Sequence, residues 1–193
     1  MTPLGKDGIT VVVLAGGAGR RMGGQDKGLV EYRQQPLIAH VIDAMRLQSG
    51  KIVINANRNP EIYRQFGYPV VADTLSGFQG PLSGFLSAME FVDSEYILTL
   101  PCDGPVVAAD YLQRMAETLD TGDSDIVVAS DGNRMQPVYA LIPVQLRQDL
   151  QQFLEGGDRK IDLWYARHRT RLCEFSTDTG FFTNINTPDE LKT

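Results

Sequence analysis

Short apolar runs alternate with amphipathic segments along the first part of this 193-residue chain. The runs are short enough for buried strands, whereas the segments between them carry apolar residues at helical spacing. Such alternation is typical of an α/β fold with a parallel sheet covered by helices on both faces. The predicted strands are 11–14, 52–54, 70–72 and 96–100, and the predicted helices are 36–48, 81–92 and 109–120.

The second half is less regular and predicts a mixed sheet. The segments 125–130 and 137–143 flank the turn dipeptide Asp131-Gly132, which favours an antiparallel or crossing pair of strands. Residues 144–157 predict a helix that two glycines end, and Thr187 begins a plausible capping box near the end of the chain. No repeat or linker interrupts the pattern, so we expect a single domain over residues 1–193.

The composition limits the partners. A net charge of −6 argues against nucleic acid, because binding to a phosphate backbone requires a basic face. No apolar run has membrane-spanning length, and the first residues lack the core of a signal peptide, so we expect a cytoplasmic protein without a membrane partner. Cys102 and Cys173 lie in different apolar segments without CxxC spacing, and we expect two reduced, packed thiols.

The first strand runs into a glycine-rich loop, VVVLAGGAGRRMGGQDKG, at residues 11–28. Met22 stands where a dinucleotide fingerprint has its third glycine. Lys27 follows Asp26 and precedes Gly28, whereas a P-loop lysine follows a glycine and precedes Ser or Thr. What remains is a flexible turn that delivers Arg20, Arg21 and Lys27. These cations could belong to a basic loop that is exposed to solvent. The glycines at a strand end favour the alternative, a phosphate site.

Polar side chains follow three further predicted strands. Asn55 ends the second strand, Asp73 follows the third and Asp103 follows the fourth. In a parallel sheet all three would lie at the same edge as the glycine-rich loop. An isolated carboxylate at a strand end is often a turn or helix cap. As a group, however, these residues predict a site that reads a base or sugar and holds Mg²⁺, which favours few carboxylates together with phosphate oxygens.

Several stretches resemble one family over nearly the whole chain. LAGGAGRRMGGQDKG is similar to the opening signature of the molybdopterin-type nucleotidyltransferases, and INANRN, VVADTLSGFQGPLSG, LPCDGP, QPVYAL and NINTPDEL continue the match. The resemblance implies a Rossmann-like nucleotidyltransferase fold, with a nucleotide-binding half at about 9–103 and an acceptor-binding half at about 104–193. It also implies transfer of GMP from GTP to the terminal phosphate of molybdopterin, with Mg²⁺ as cofactor and transient contacts with other proteins of molybdenum cofactor biosynthesis.

The resemblance further implies a GTP site at the matching positions. Asn55 and Asp73 would complete the site for the base and ribose. Lys27 and Arg21 would face the triphosphate as catalytic residues, and Asp103 would bind the metal. The guanine would be contacted by backbone groups of the segment that consists of Leu14, Ala15, Gly16 and Gly17.

The acceptor side is implied by two other stretches. Asn184 and Asn186, in NINTP, would border the reaction centre, and Arg159 and Lys160 would lie near the molybdopterin. Gln136 occupies a position where some relatives carry histidine, and packing beside Pro137 is an equal alternative.

Four alternatives stay open. A cytidylyltransferase of the same fold is the nearest, although its relatives tend to resemble LAAG where Gly16 stands here. A sugar-phosphate nucleotidyltransferase generally has a longer chain. A non-catalytic GTP-binding regulator would not need the lysine and the metal aspartate. A flavin or nicotinamide oxidoreductase would need the third glycine and the acidic residue that binds the ribose, and this sequence lacks both.

Overall fold

Runs of β-branched residues form the centre of the structure, because their side chains pack well on a pleated, buried surface. The computed structural model describes residues 5–17, 25–75, 80–121, 123–176, 180–185 and 190. The strands in these ranges are β1 (Ile9–Leu14), β2 (Glu31–Tyr32), β3 (Gln35–Pro36), β4 (Ile52–Asn55), β5 (Val70–Val71), β6 (Tyr96–Pro101), β7 (Ile126–Ser130), β8 (Met135–Pro143) and β9 (Thr170–Glu174).

Helices connect these strands; those at 37–46, 81–91, 111–120 and 147–155 are predicted from the sequence, whereas the short helices at 60–64 and 161–165 are not. The helices in the described ranges are α1 (Leu37–Arg46), α2 (Pro60–Arg64), α3 (Pro81–Phe91), α4 (Tyr111–Asp120), α5 (Arg147–Glu155) and α6 (Ile161–Tyr165). Short 3₁₀ turns cover Lys6–Gly8, Lys27–Leu29 and Val144–Leu146. The predicted capping box at Thr187 lies outside the described residues, and no helix in the described part is long and apolar enough to cross a bilayer.

The main sheet has the strand order β5-β4-β1-β6-β8-β7-β9. Within the described residues of this main sheet, only β8 runs against its neighbours; β5, β4, β1 and β6 are parallel, and so are β7 and β9. The prediction of a mostly parallel mixed sheet is therefore confirmed. Strands β2 and β3 form a separate antiparallel pair. The antiparallel pair predicted around Asp131-Gly132 is β7 with β8, and Asp131 Oδ1 accepts the backbone N–H groups of Asn133 and Arg134 at 2.9 Å, which closes that turn.

Two apolar layers cover the two faces of the sheet. Val11 and Val13 of β1 face one layer, in which α1 and α4 pack, and Val12 faces the other layer with α3, α5 and α6. This alternation follows from the two-residue period of a strand. Helices on both faces leave the ends of the strands as the place where polar groups converge.

We expect burial, and not residue type, to decide what a leucine in this sheet contributes. Leu98 on β6 is fully buried, whereas Leu172 on the edge strand β9 is 53% exposed. Leu98→Ala should lower the free energy of unfolding by about 2–5 kcal/mol, since it removes buried contacts and leaves a cavity. Leu172→Ala should change it by about 0.5 kcal/mol or less. Urea denaturation of both variants measures the difference, and equal losses would contradict the assigned packing.

Candidate active site

Four parallel strands end at one edge of the sheet, and the loops that follow them build the site. Leu14 of β1 is level with Asn55 of β4 on one side and with Pro101 of β6 on the other. Beyond the strands the ladder continues, since Ala15 N donates to Asn55 O at 2.8 Å and Cys102 N donates to Leu14 O at 3.0 Å. The glycine-rich segment therefore leaves the sheet in a fixed position between its two neighbours.

Asn55 and Asp73 meet directly at this edge. Asn55, which is 2% exposed, donates from Nδ2 to Asp73 Oδ1 at 2.9 Å and to Val71 O at 3.2 Å. Asn57 donates from Nδ2 to Asp73 Oδ2 at 2.9 Å and accepts from the Asp73 N–H at 2.7 Å. Both oxygens of the Asp73 carboxylate are thus held by amides, so its orientation is set before any ligand arrives.

Sequence reasoning missed Asn57, although a signal existed. Asn57 lies two residues beyond Asn55, and a two-residue step near a strand end returns a side chain to the same side. The asparagine pair in INANRN therefore indicated a shared partner. Asp73 is that partner.

Glycines allow the polar groups of the site to come close. A Cβ on Gly16 would lie 3.0 Å from Asn57 Nδ2 and 3.2 Å from Asn55 Oδ1. A Cβ on Gly84, in the first turn of α3, would collide with Asn55 Oδ1. Gly84 was not predicted from the sequence, because a glycine inside a helical pattern gives no sign of what packs against it.

Lys27 and Asp103 form an ion pair on the other side of β1. Lys27 Nζ donates to Asp103 Oδ2, and the two side chains are only 19% and 16% exposed. Asp103 Oδ1 is buried and has no hydrogen-bond partner among the described residues. A buried carboxylate oxygen without a partner is costly, and a metal ion would compensate for that cost.

The loop after β9 reaches the same aspartate. Ile185 N donates to Asp103 O at 2.9 Å, which brings the neighbouring Asn184 close to Asp103. A Cβ on Gly104 would lie 3.2 Å from Asn184 Oδ1 and would collide with Tyr139 Oη. The glycine after Asp103 therefore makes room for a phenol that sequence reasoning did not assign. Burial raises the pKa of Tyr139, and nearby Asp103 raises it further.

The remaining predicted residues divide into two groups. Arg159 donates from Nη1 to Leu154 O at 2.5 Å and to Asp158 O at 2.6 Å, so it binds carbonyls at the end of α5, and Lys160 is exposed just before α6. No described contact joins either of them to the Lys27–Asp103 pair. Their role towards an acceptor stays a prediction. Arg20, Arg21 and Asn186 lie outside the described residues, while Gly17 is described and exposed.

The described residues contain no group of three or more His, Cys, Asp or Glu side chains that could hold a metal ion. Asp103 could hold a metal at this edge together with oxygens of a substrate, the arrangement that Mg²⁺ favours at phosphates.

Comparison with known proteins agrees with this architecture. A molybdopterin-guanine dinucleotide biosynthesis protein A from Archaeoglobus fulgidus has a solved structure that superposes with a TM-score of 0.76 at 21% identity, covering 95% of each chain. At that identity the likeness shows the fold alone. This fold is the α/β nucleotidyltransferase fold that the resemblance in sequence implies.

Sequence relatives identify the family. Residues 11–171 match the family model of the MobA-like NTP transferase domain. Two curated proteins named molybdenum cofactor guanylyltransferase, from Shewanella loihica and Shewanella sediminis, are each 48% identical over 94% of this chain and 93% of their own length. The chain belongs to the MobA-like NTP transferase family, and the resemblance drawn from its motifs is confirmed.

We expect the thiol beside Asp103 to be chemically inert. Burial raises the pKa of Cys102 far above its usual range, and the Asp103 carboxylate raises it further. Since the thiolate is the reactive form, native protein at pH 8 should resist iodoacetamide at Cys102 and react after unfolding in urea. A Cys173→Ala variant isolates this thiol, and mass spectrometry measures the labelling. Labelling of the native protein at the rate of a free thiol would contradict the assignment.

Proposed function

We propose that this protein transfers GMP from GTP to the terminal phosphate of molybdopterin and releases pyrophosphate. The observation that carries the proposal is the meeting of two groups at one edge of the sheet. Gly16, Asn55 and Asp73 lie on one side of β1, and the Lys27–Asp103 pair lies on the other. A nucleoside triphosphate has the same two parts, a base with its ribose and a chain of phosphates.

The first group supports recognition of the base and ribose. Asn55 and Asn57 hold Asp73, whose remaining lone pairs can accept hydrogen bonds from ribose hydroxyls. Gly16 leaves room beside both asparagines that an alanine would fill, because its Cβ would lie 3.0 Å from Asn57. Cytidylyltransferase relatives tend to resemble LAAG, with alanine at this position. Because that alanine would be crowded by Asn57 here, the structure fits the LAGG pattern better, which supports guanine over cytosine. The names of the curated relatives support the same choice.

The second group supports phosphoryl chemistry. Asp103 would hold Mg²⁺ through its buried Oδ1, which has no partner among the described residues. Bound there with the triphosphate, Mg²⁺ supplies neutralisation of charge on the phosphate oxygens. Lys27 supplies a mobile positive charge on the same side, and its pairing with Asp103 keeps it at this edge before the nucleotide binds.

No strong general base is required for this reaction. The attacking group is a phosphate monoester, which is largely ionised near neutral pH because its second pKa is about 6. The barrier is instead electrostatic, since two anions must approach and a third must leave. Lys27 would screen that repulsion and help to align the attacking oxygen with the leaving pyrophosphate, with Arg21 as a second cation.

The acceptor side of the proposal rests on fewer contacts. Asn184 lies beside Asp103 and Gly104, where an acceptor phosphate would approach the α-phosphorus of GTP. Asn186, Arg159 and Lys160 are proposed for the same side from the sequence resemblance. A cytoplasmic location and transient contacts with other proteins of molybdenum cofactor biosynthesis complete the proposal.

Pyrophosphate release tests the function. Protein, Mg²⁺ and molybdenum-loaded molybdopterin are incubated separately with GTP, CTP, ATP and UTP. We expect release with GTP alone. Release with CTP alone would keep the reaction class and overturn the guanine assignment. Bound GTP without release on an active acceptor would favour the non-catalytic regulator.

Lys27 and Asp103 should contribute unequally to turnover. Lys27→Ala should lower kcat/KM for GTP about 10- to 100-fold, because a hydrogen bond to a charged group contributes about 1.5–3 kcal/mol. Asp103→Ala should lower it further, because it removes the proposed metal ligand as well. Steady-state kinetics over a range of Mg²⁺ concentrations measures both. Arg167→Ala, which removes an exposed ion pair with Asp149, is the control for the loss of a surface cation. Turnover near the wild-type rate in either folded site variant at limiting Mg²⁺ would contradict that residue's role.

A further inference from the structure

Asp26, immediately before Lys27, is buried, and each oxygen of its carboxylate accepts a hydrogen bond. Two residues of the connection between β4 and β5 hold its side chain. Tyr63 Oη donates to Oδ1 at 2.5 Å, and Asn59 Nδ2 donates to Oδ2 at 2.9 Å. The residue is only 8% exposed. With one donor on each oxygen, the orientation of this carboxylate is set by the residues that begin and form α2.

The two donors are placed in different ways, Tyr63 by burial and Asn59 by its backbone conformation. Tyr63 is completely buried, and burial raises the pKa of its phenol, which therefore keeps its proton and acts as a donor. Asn59 precedes α2 with φ +48°, a left-handed conformation that asparagine tolerates better than most residues. Pro60 follows at the first position of the helix, where its fixed φ is favourable.

The turn that carries Lys27 is clamped between α2 and the strand that leads to Asp103. A Cβ on Gly28 would lie 2.5 Å from Tyr63 Oη and 3.3 Å from Cys102 Sγ. Within the 3₁₀ turn, Leu29 N donates to Asp26 O at 3.0 Å, and Val30 N donates to Lys27 O at 3.2 Å. The backbone on both sides of Lys27 is thus packed and hydrogen-bonded.

Stability alone is a poor reason for this arrangement. A buried carboxylate that is satisfied only by neutral donors loses hydration that an apolar side chain would not lose. A long lysine, in contrast, loses considerable rotamer freedom when its ammonium group is held in one place. A rigid backbone around the lysine lowers the total entropic cost, because only the side chain then remains to be ordered.

We propose that Tyr63 and Asn59 are positioning residues for Lys27, which they fix through the Asp26 carboxylate so that Nζ reaches the Asp103 edge. The proposal rests on the proposed function only in taking Lys27 as the group that meets the triphosphate. In this proposal both residues act through Asp26 and not on the substrate, from the connection between β4 and β5.

A double-mutant cycle tests the proposal. Tyr63→Phe removes one donor and keeps the ring. With Lys27 present, it should raise the Kd for GTP with Mg²⁺ and lower kcat/KM by about three- to tenfold, the range for one hydrogen bond. In a Lys27→Ala background the same change should have about a twofold effect or less, because the residue through which it acts is gone. Its effect on the free energy of unfolding should be the same in both backgrounds.

Two further variants strengthen the cycle. Tyr111→Phe is the matched control, since Tyr111 is also completely buried and donates from Oη to one acceptor, Thr99 O, at 2.9 Å. It should cost stability and leave the Kd for GTP unchanged in both backgrounds. Asn59→Gly keeps the left-handed backbone and removes the other donor, so it repeats the test should Tyr63→Phe fail to fold.

The outcomes separate the positioning proposal from the proposed function. Losses from Tyr63→Phe that are equal with and without Lys27, or absent in both backgrounds, would overturn the positioning role. Absence of pyrophosphate release by the wild-type protein would overturn the proposed function instead. The cycle on the Kd for GTP needs no acceptor, and it still decides for or against positioning.

Discussion

The pairing of β1 with two parallel neighbours holds the whole site together. Leu14 is level with Asn55 on one side and Pro101 on the other, so three loops begin at the same height. A shift of one residue in either register would turn the side chains to the opposite face of the sheet. The buried core opposes such a shift, because Val11, Val12 and Val13 are inaccessible to solvent on both faces. The site is precise because the sheet beneath it cannot slide.

Three aspartates at or near this edge differ in what surrounds them, and their surroundings support the different roles proposed for them. Asp73 has both oxygens held by asparagine amides, and Asp26 has both held by Tyr63 and Asn59. Asp103 pairs with Lys27 and keeps one buried oxygen without a partner in the described part of the chain. A carboxylate held by amides suits recognition of hydroxyls, a buried one with a donor on each oxygen suits positioning, and an incompletely satisfied one suits a metal.

Sequence reasoning found the parts of the site that local patterns report. Asn55, Asp73 and Asp103 were predicted to meet because each follows a strand of a parallel sheet, and the structure brings Asn55 into contact with Asp73 directly. Gly84 and Tyr139 were missed, since a glycine in a helix or a tyrosine in a strand does not show its partner across the fold. Arg159, predicted for the acceptor side, contacts carbonyls near the end of α5 within the described structure, and its role towards an acceptor stays a prediction. Cations in a loop cannot reveal which oxygen they will reach.

The sequence by itself determined the class of fold and the family, and it predicted the edge of the sheet at which the site is proposed. These follow from hydrophobic periodicity and from motifs, which are properties of neighbouring residues. Only the tertiary structure decided which side chains meet: Asn57 with Asp73, Tyr63 with Asp26, and Lys27 with Asp103, 76 positions further along the chain. Such contacts depend on strand order, register and the packing of whole helices. Distances of a few ångströms between remote residues are set by all of these together, and no local pattern contains them.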